Sequence, residues 1–250
     1  MTAGQEWLSG RTALVTGAAK RLGRATALAL AEAGADVIVH YRSSSEAASD
    51  TAGRIGRAGR RAWALQADLA DVAQVDSLMK RAVDAAGGVD VLVNNASVFL
   101  PSGVLDFSAD DLFADVRINA MAPLLLCRAF AAQKRPGDIV NFLDCRIADY
   151  DRSHAAYHLS KRMLFSITRM LALELAPQIK VNAVAPGLVL PPAGEDESFL
   201  AARAHTNPLG RHGRVEDVTE AVLFLLRNRF VTGQVIYVDG GRHMKGCVYD

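Results

Sequence analysis

The chain has 250 residues, half of them apolar, and its formal net charge of +1 lacks the basic excess typical of nucleic-acid-binding proteins. Its N-terminal residues lack the pattern of a secretory leader, no apolar run reaches the ~20 residues of a membrane span, and its three cysteines lack metal-ligand spacing. We therefore expect a soluble cytoplasmic protein that binds no metal.

Short apolar runs alternate along the chain with longer stretches of helical spacing. The runs predict strands over 12–16, 36–41, 61–66, 89–94, 138–143, 180–184 and 234–239. Helices are predicted over 24–33, from the serine-rich segment after residue 43 to about 58, and over 72–86, 112–132 and 156–175, with a break near Pro123. Strands that are apolar almost throughout indicate a parallel sheet covered on both faces. Right-handed crossovers then predict one Rossmann-type, doubly wound α/β domain spanning 1–250.

The segment 190–210 departs from this alternation. It contains three prolines and the acidic residues 195–197. A loop of this length inside a compact domain is usually functional, so we interpret it as a substrate lid.

The turn after the first strand has the composition of a nucleotide-binding turn. It reads Thr16-Gly17-Ala18-Ala19-Lys20-Arg21-Leu22-Gly23 and leads into a helix. Small residues there allow the backbone to approach a pyrophosphate at the helix N-terminus. The two glycines are six residues apart, and Arg21 occupies the place of the middle glycine in the general dinucleotide pattern.

The end of the second strand indicates which nicotinamide cofactor is used. It reads His40-Tyr41-Arg42-Ser43-Ser44, without the acid that normally binds the ribose 2′-hydroxyl of NAD. A guanidinium pairs bidentately with phosphate oxygens, so Arg42 and its serines suit a 2′-phosphate, with Lys20 adding positive charge. The alternative is a solvated basic turn. We favour NADPH.

Two further segments fall at the carboxyl edge of the predicted sheet, where ligands bind in such folds. Asp68, next to Leu69, follows the third strand and is placed to accept a hydrogen bond from an adenine amino group. The fourth strand runs into Asn95-Ala96-Ser97.

A Tyr157-His-Leu-Ser-Lys161 segment carries the strongest catalytic signal. The i, i+4 spacing places the phenol and the ammonium on one helix face. A nearby ammonium favours the phenolate and lowers the pKa of a tyrosine. The neighbouring His154 and His158 are interpreted as exposed or loosely packed.

With these motifs the chain resembles the short-chain dehydrogenase/reductase family over essentially its whole length. The resemblance implies that Tyr157 is the proton donor, that Lys161 binds the nicotinamide ribose and lowers the pKa of the tyrosine, and that Asn119 holds a water in the proton relay. Further matching elements are 16–23, 94–96, Pro186-Gly187, which with Leu188 would border the nicotinamide, and 238–241.

Two departures from the common family pattern resemble the pteridine reductase branch. Arg21 replaces the middle glycine, and Asp144 stands where the family usually has a catalytic serine. In that branch the aromatic at the position of Phe99 stacks on the pterin, and Arg21 and Ser97 would contact pterin or cofactor phosphate. An acid beside Tyr157 suits reduction of a ring C=N bond, because a proton must reach nitrogen as hydride reaches carbon.

These residues also have simpler interpretations. Phe99 could be a core or lid aromatic, Asp144 a structural acid paired with Arg146 or Arg152, and Arg21 a surface residue at the start of a helix. We expect an NADPH-dependent reductase of dihydropterins, the alternative being a ketone or alcohol substrate.

The helix carrying Tyr157 has a second apolar face, formed by Leu164, Ile167, Leu171 and Leu175. In the family this helix often packs against its copy in a tetramer. Burial against the chain's own sheet would give the same pattern. We expect a homotetramer.

Overall fold

Parallel pairing of apolar strands forms the centre of the molecule in a computed structural model, which describes residues 6–148, 150–192 and 194–245. The seven-stranded sheet has the order β3-β2-β1-β4-β5-β6-β7, every pair being parallel. The strand order reverses between β1 and β4, which confirms the doubly wound α/β fold. The strands are β1 (Thr12–Val15), β2 (Asp36–Tyr41), β3 (Ala62–Gln66), β4 (Val91–Asn94), β5 (Gly137–Phe142), β6 (Ile179–Pro186) and β7 (Val235–Val238).

Helices cover both faces of the sheet, so the sheet has a buried apolar layer on each side. One layer packs under α3, α5 and α6, and the other under α1, α2 and α8. The helices are α1 (Arg21–Glu32), α2 (Ser45–Arg57), α3 (Val72–Ala86), α4 (Ala109–Val116), α5 (Ala122–Ala131), α6 (Ala155–Glu174), α7 (Glu197–Arg203) and α8 (Val215–Arg227). Among the described residues no helix is both long and apolar enough to cross a membrane.

The predicted and observed elements differ at three places in the chain. The break in the helix predicted over 112–132 is a π-helical turn, Arg117–Met121, which ends just before Pro123. The segment 190–210 is not one irregular loop, because it contains α7 and a 3₁₀ turn. α8 was not predicted, although Val218, Val222 and Leu225 have helical spacing and are buried.

The second apolar face of α6 is used within the chain. Leu164, Ile167 and Leu171 are at most 8% exposed and belong to the core cluster beneath α3, α5 and α6, with Leu175 packed against it. That face therefore carries no information about self-association. Met170 and Leu173 of the same helix are 68% and 85% exposed.

Candidate active site

A cleft of about 370 Å³ opens at the carboxyl ends of the strands, at the point where the strand order reverses. Open α/β sheets bind their ligands at this place. Most of the predicted cofactor residues line it, together with three residues that were not predicted, Ala67, Val98 and Ile118. The lining residues are Gly17, Lys20, Arg21, Leu22, Gly23, His40, Arg42, Ala67, Asp68, Leu69, Asn95, Ala96, Ser97, Val98 and Ile118.

The turn between β1 and α1 has no space for side chains at its two glycines. A Cβ on Gly23 would lie 2.2 Å from the carbonyl oxygen of Gly17, and Gly17 itself has φ +64°. Arg21 also has a positive φ of +56°, a left-handed conformation that a non-glycine residue adopts at a cost. The turn therefore brings backbone N–H groups to the first turn of α1, where an anion binds most favourably.

The side chains of His40 and Asn95 make hydrogen bonds to the backbone of this turn. His40 is 2% exposed; its Nδ1 accepts from the N–H of Gly17 at 3.0 Å, and its Nε2 lies 3.1 Å from the carbonyl oxygen of Ala67. Burial lowers the pKa of His40 to about 4, so the ring is neutral near pH 7. Asn95 donates to the carbonyl oxygen of Thr16 at 2.9 Å. Both residues were predicted to bind cofactor, and both shape the turn that would hold it.

Positive charge gathers at the end of the cleft where β2 ends. Lys20, Arg21 and Arg42 all line the cleft, and within the described part of the chain the guanidinium of Arg42 makes no hydrogen bond or ion pair. One carboxylate oxygen of Asp68 accepts from the N–H of Ala70 at 2.9 Å. Eight predicted cofactor residues are not among those that line the cleft, namely Tyr41, Ser43, Ser44, Tyr157, Lys161, Pro186, Gly187 and Leu188.

Tyr157 and Asp144 meet across two elements of the fold. The Tyr157 hydroxyl on α6 donates to Oδ2 of Asp144, which follows β5, at 2.9 Å. The second carboxylate oxygen, Oδ1, accepts from the backbone N–H of Arg146 at 2.8 Å. The guanidinium of Arg146 lies instead 3.8 Å from Asp151. The acid is therefore partnered with the tyrosine rather than with an arginine side chain.

The environment of Tyr157 opposes the pKa lowering that sequence predicts. Burial raises the pKa of the phenol well above its usual value, and the carboxylate of Asp144 raises it further. The Lys161 ammonium lies 5.7 Å from the phenol ring centroid and donates to the carbonyl oxygen of Phe142 at 2.8 Å. Tyr157 thus remains a protonated donor near pH 7.

Lys161 itself is almost completely buried, at 3% exposure. Burial lowers the pKa of its ammonium to about 8, although Asp144 and Asp115 both raise it. The lysine is therefore mostly charged at pH 7 and loses its charge as pH rises through about 8, and the acids around it help to keep it protonated.

The side chain of Asn119 has no capacity left for a water molecule. Its amide donates to Ser160 Oγ and to the carbonyl oxygen of Val98, both at 3.0 Å. Its carbonyl oxygen accepts from the Val98 N–H at 2.9 Å and from Ser97 Oγ at 3.0 Å. The side chain therefore connects segment 97–98 to α6.

Phe99 lies beside Tyr157 and is 52% exposed. Its ring stands edge-to-face with that of Tyr157, at a centroid distance of 4.6 Å and an angle of 86°. It also stacks on His154, at 3.8 Å and 14°. A parallel bridge between Ser102 and His154 joins the loop carrying Phe99 to the start of α6. Phe99 is thus an exposed aromatic at the site rather than a core residue.

The two histidines near Tyr157 form a cluster that sequence alone did not indicate. Asp151 lies 2.9 Å from Nδ1 of His154 and 3.1 Å from Nε2 of His158. Burial raises the pKa of Asp151, but hydrogen bonds from both histidines outweigh that effect and lower it overall. His158 is only 2% exposed, so the expectation of an exposed or loosely packed residue was wrong for it.

The end of β6 forms another tight part of the site. A Cβ on Gly187 would lie 2.6 Å from Cβ of Asp239, and the N–H of Gly187 donates to the carbonyl oxygen of Val238 at 3.0 Å. Pro186 ends the strand, and Leu188 is 8% exposed. Nearby, the guanidinium of Arg21 donates to the carbonyl oxygen of Pro191 at 2.5 Å, which connects the nucleotide turn to segment 190–210.

Comparisons with known proteins agree with this geometry. Residues 17–243 match a family model described as enoyl-(acyl carrier protein) reductase. The chain is 34% identical over 244 residues to the 3-oxoacyl-[acyl-carrier-protein] reductase of Synechocystis, covering 95% of this chain and 98% of that protein.

Two solved structures are similar at the level of the whole fold. One is the alternative dihydrofolate reductase 1 (FolM) of Brucella canis complexed with NADP, with a TM-score of 0.87 and 34% identity over 94% of this chain and 95% of that chain. The other is the promiscuous reductase LugOII, which catalyses a keto-reduction in lugdunomycin biosynthesis, with a TM-score of 0.88 and 34% identity over 95% and 99%. The chain belongs to the short-chain dehydrogenase/reductase family of oxidoreductases.

Proposed function

We propose that this protein reduces a dihydropterin to the tetrahydropterin with NADPH as the hydride donor. The observation that carries the proposal is the 2.9 Å hydrogen bond from Tyr157 to Asp144, with the exposed ring of Phe99 beside it. A carboxyl group in the place of a serine provides a second proton-carrying group, and an exposed aromatic suits a flat substrate.

The described residues fit an NADP cofactor. The tight glycine turn leads into the N-terminus of α1, where backbone N–H groups suit a pyrophosphate. Arg42 stands at the end of β2 without a protein partner for its guanidinium in the described part of the chain, which suits a 2′-phosphate. FolM of Brucella canis, similar over the whole fold, was solved with NADP. Lys161 and segment 186–188 would hold the nicotinamide ribose and ring.

The reaction adds one hydride and one proton across a ring C=N bond. The reduced nicotinamide, when bound, supplies the hydride to carbon. Tyr157, kept protonated by its raised pKa, and Asp144, which accepts its hydrogen bond, manage the proton that must reach nitrogen. The proton lost from this pair returns from solvent, so the tyrosine and the acid are unchanged after turnover.

The substrate would bind between the cofactor and the Phe99 loop. His154 covers one face of Phe99, so a pterin stacking on this ring would use the other face or displace the imidazole. Arg21 and Ser97 both line the cleft and would contact the pterin or a cofactor phosphate. The similarity to a protein named as an alternative dihydrofolate reductase favours the same substrate class.

A second candidate function is the reduction of a ketone. Two of the similar proteins are named as keto-reducing enzymes, one of them acting on a 3-oxoacyl chain attached to a carrier protein. The same Tyr157 and Lys161 would serve this reaction, because a single proton donor suffices for a carbonyl oxygen. Asp144 is the residue that separates the two candidates.

The deciding experiment is NADPH consumption by the purified protein with dihydrobiopterin, dihydromonapterin, dihydrofolate and a panel of simple and 3-oxoacyl ketones. We expect turnover of at least one dihydropterin, and an Asp144→Ser variant that loses this activity while gaining ketone reduction. Turnover of ketones alone, or ketone activity in the wild type that survives Asp144→Ser unchanged, would refute the pterin assignment.

Three further properties belong to this proposal. Segment 190–210, tethered to Arg21 through Pro191, would close over the bound substrate. The exposed apolar side chains of α6, Met170 and Leu173, would contribute to a homotetramer, which light scattering after gel filtration tests directly. The enzyme would act in the cytoplasm, where NADPH is available.

A further inference from the structure

Asp115, near the end of α4, is a buried acid that the proposed reaction does not use. It is 1% exposed, and neither of its carboxylate oxygens has a hydrogen-bond partner among the described residues. A buried carboxylate without partners is costly, so such a residue in a folded protein requires an explanation.

The packing of α4 directs this acid toward the catalytic helix. α4 lies against α6 and continues through the π-helical turn that carries Asn119. Asn119 donates to Ser160, the residue that precedes Lys161, at 3.0 Å. Asp115 lies about one helical turn before Asn119, so both residues belong to the side of this segment that packs on α6.

The charged and titratable groups that act on Asp115 come from both helices. Asp111 acts from α4 itself, His154 from the start of α6, and Lys161 from the catalytic pair. Burial and Asp111 raise the pKa of Asp115 to about 6, while His154 and Lys161 lower it. The acid is therefore ionised above about pH 6, the range in which Lys161 has to be charged.

Asp115 in turn changes the pKa values of Lys161 and Tyr157. Asp115 raises the pKa of Lys161, against the burial that lowers it, and it also contributes to the raised pKa of Tyr157. Both effects keep protons on the catalytic pair. Asp115 reaches them through its charge rather than through a hydrogen bond.

We propose that Asp115 is a positioning residue that supplies, beside Asp144, a second buried counter-charge for the Lys161 ammonium. The ammonium is buried and donates to one backbone carbonyl, which carries no net charge. Asp144 also acts on the lysine but accepts the hydrogen bond of Tyr157, so Asp115 on α4 adds the further negative charge that keeps the lysine protonated when the cofactor binds. This inference rests on the proposed use of NADPH and is independent of whether the substrate is a pterin or a ketone.

The experiment measures NADPH affinity by fluorescence between pH 5 and 10 for the wild type, Asp115→Asn and Asp115→Leu. NADPH affinity should fall with rising pH around a midpoint, and loss of the counter-charge should move that midpoint about one pH unit lower. NADPH binding near pH 8 should then be roughly fivefold weaker than in the wild type. Near pH 5, where the wild-type acid is protonated, the three proteins should bind NADPH alike. The matched control is Asp110→Asn, which removes an exposed carboxylate from the first turn of the same helix and should leave the profile unchanged.

Thermal unfolding separates the proposal from a merely structural role. Melting temperatures of Asp115→Leu and Asp115→Asn, measured at each pH of the binding assay, should show both variants folded where their NADPH profiles shift, so that the shift does not come from unfolding. Superimposable profiles for the wild type and both Asp115 variants overturn the proposal, as does a wild-type affinity without any alkaline weakening. Absence of dihydropterin turnover, with the shifted profile retained, would count against the pterin assignment only.

Discussion

The hydroxyl of Tyr157 donates to Oδ2 of Asp144 at 2.9 Å, while Oδ1 of the same carboxylate is held by the backbone N–H of Arg146. The acid is thus fixed at one oxygen and shares a proton with the tyrosine at the other. Two groups that act on one proton are expected to behave as a unit rather than as independent contributors.

Replacing either member of this pair should therefore reduce kcat/KM about as much as replacing both. Tyr157→Phe and Asp144→Asn should each reduce kcat/KM for a dihydropterin by about 100-fold or more, and the double variant should lose little beyond the worse single variant. Steady-state kinetics of the four proteins checks this. Asp84→Asn, an exposed acid on α3, is the control. Fully multiplicative losses would contradict the shared proton.

The buried lysine predicts how cofactor binding responds to pH. The pKa of Lys161 is lowered to about 8, so its ammonium is present below that value and is lost as pH rises through it. NADPH binding should therefore weaken above about pH 8. Lys161→Met, similar in length but uncharged, should bind weakly with no such transition. Titration of NADPH fluorescence across this range gives the measurement, and a flat wild-type curve would contradict it.

Arg42 should determine the preference for NADPH over NADH. Arg42→Ala should weaken NADPH binding by about 10- to 100-fold, because charge-assisted bidentate contacts to phosphate are strong, while leaving NADH binding nearly unchanged. Arg57→Ala, an exposed arginine in the last turn of α2, serves as the matched control. Equal losses for both cofactors would show that Arg42 supports the turn instead of reading the 2′-phosphate.

The Phe99–His154 stack should affect the binding of a flat substrate more than the chemical step. Phe99→Leu should raise KM for a dihydropterin about 3- to 10-fold, with a smaller change in kcat, since a stacked aromatic pair contributes about 0.5–1.5 kcal/mol beyond its buried area. Activity toward a small aliphatic ketone, if present, should change less. Phe230→Leu alters a fully exposed ring and is the control. An unchanged KM would remove Phe99 from the substrate site.

His40 should make the fold sensitive to acid. Its pKa is about 4 in the folded protein and about 6.5 in an unfolded chain, so the unfolded state binds more protons between these values. Stability should therefore fall as pH drops from about 6.5 toward 4, by about 3 kcal/mol from this residue alone. Urea unfolding at several pH values measures the slope. The His40→Gln variant should be less stable at pH 7, and its free energy of unfolding should depend less steeply on pH. An equally steep dependence would show that His40 is not the origin of the acid sensitivity.

Much of the fold follows from local sequence patterns. Apolar runs separated by stretches of helical spacing specify a parallel doubly wound sheet, because both faces of each strand must be buried. α8 was missed although Val218 and Val222 carry the helical signal. The helix within 190–210 is short and surrounded by prolines, so periodicity alone could not separate it from a loop.

Some features of the candidate site could likewise be predicted from local sequence, and others could not. Spacing along a helix places Tyr157 and Lys161 on one face, and the residues after β1 and β2 identify the nucleotide end of the cleft. His40 and Asn95 were assigned to the correct region, but their hydrogen bonds are made to the turn itself. Only the packing could reveal this, since a residue that shapes a binding turn and one that contacts the ligand occupy neighbouring positions in the sequence.

Sequence by itself determined the order of elements, the tyrosine–lysine spacing and the charge at the end of β2, because these depend on residues close together in the chain. Tertiary structure alone decided that Asp144 pairs with Tyr157, that His154 stacks on Phe99 and that Asp115 is buried without a hydrogen-bond partner among the described residues. The physical reason is that desolvation and charge–charge interactions depend on which distant segments pack together. Those interactions, rather than the spacing of the motif, set the proton affinities of Tyr157 and Lys161.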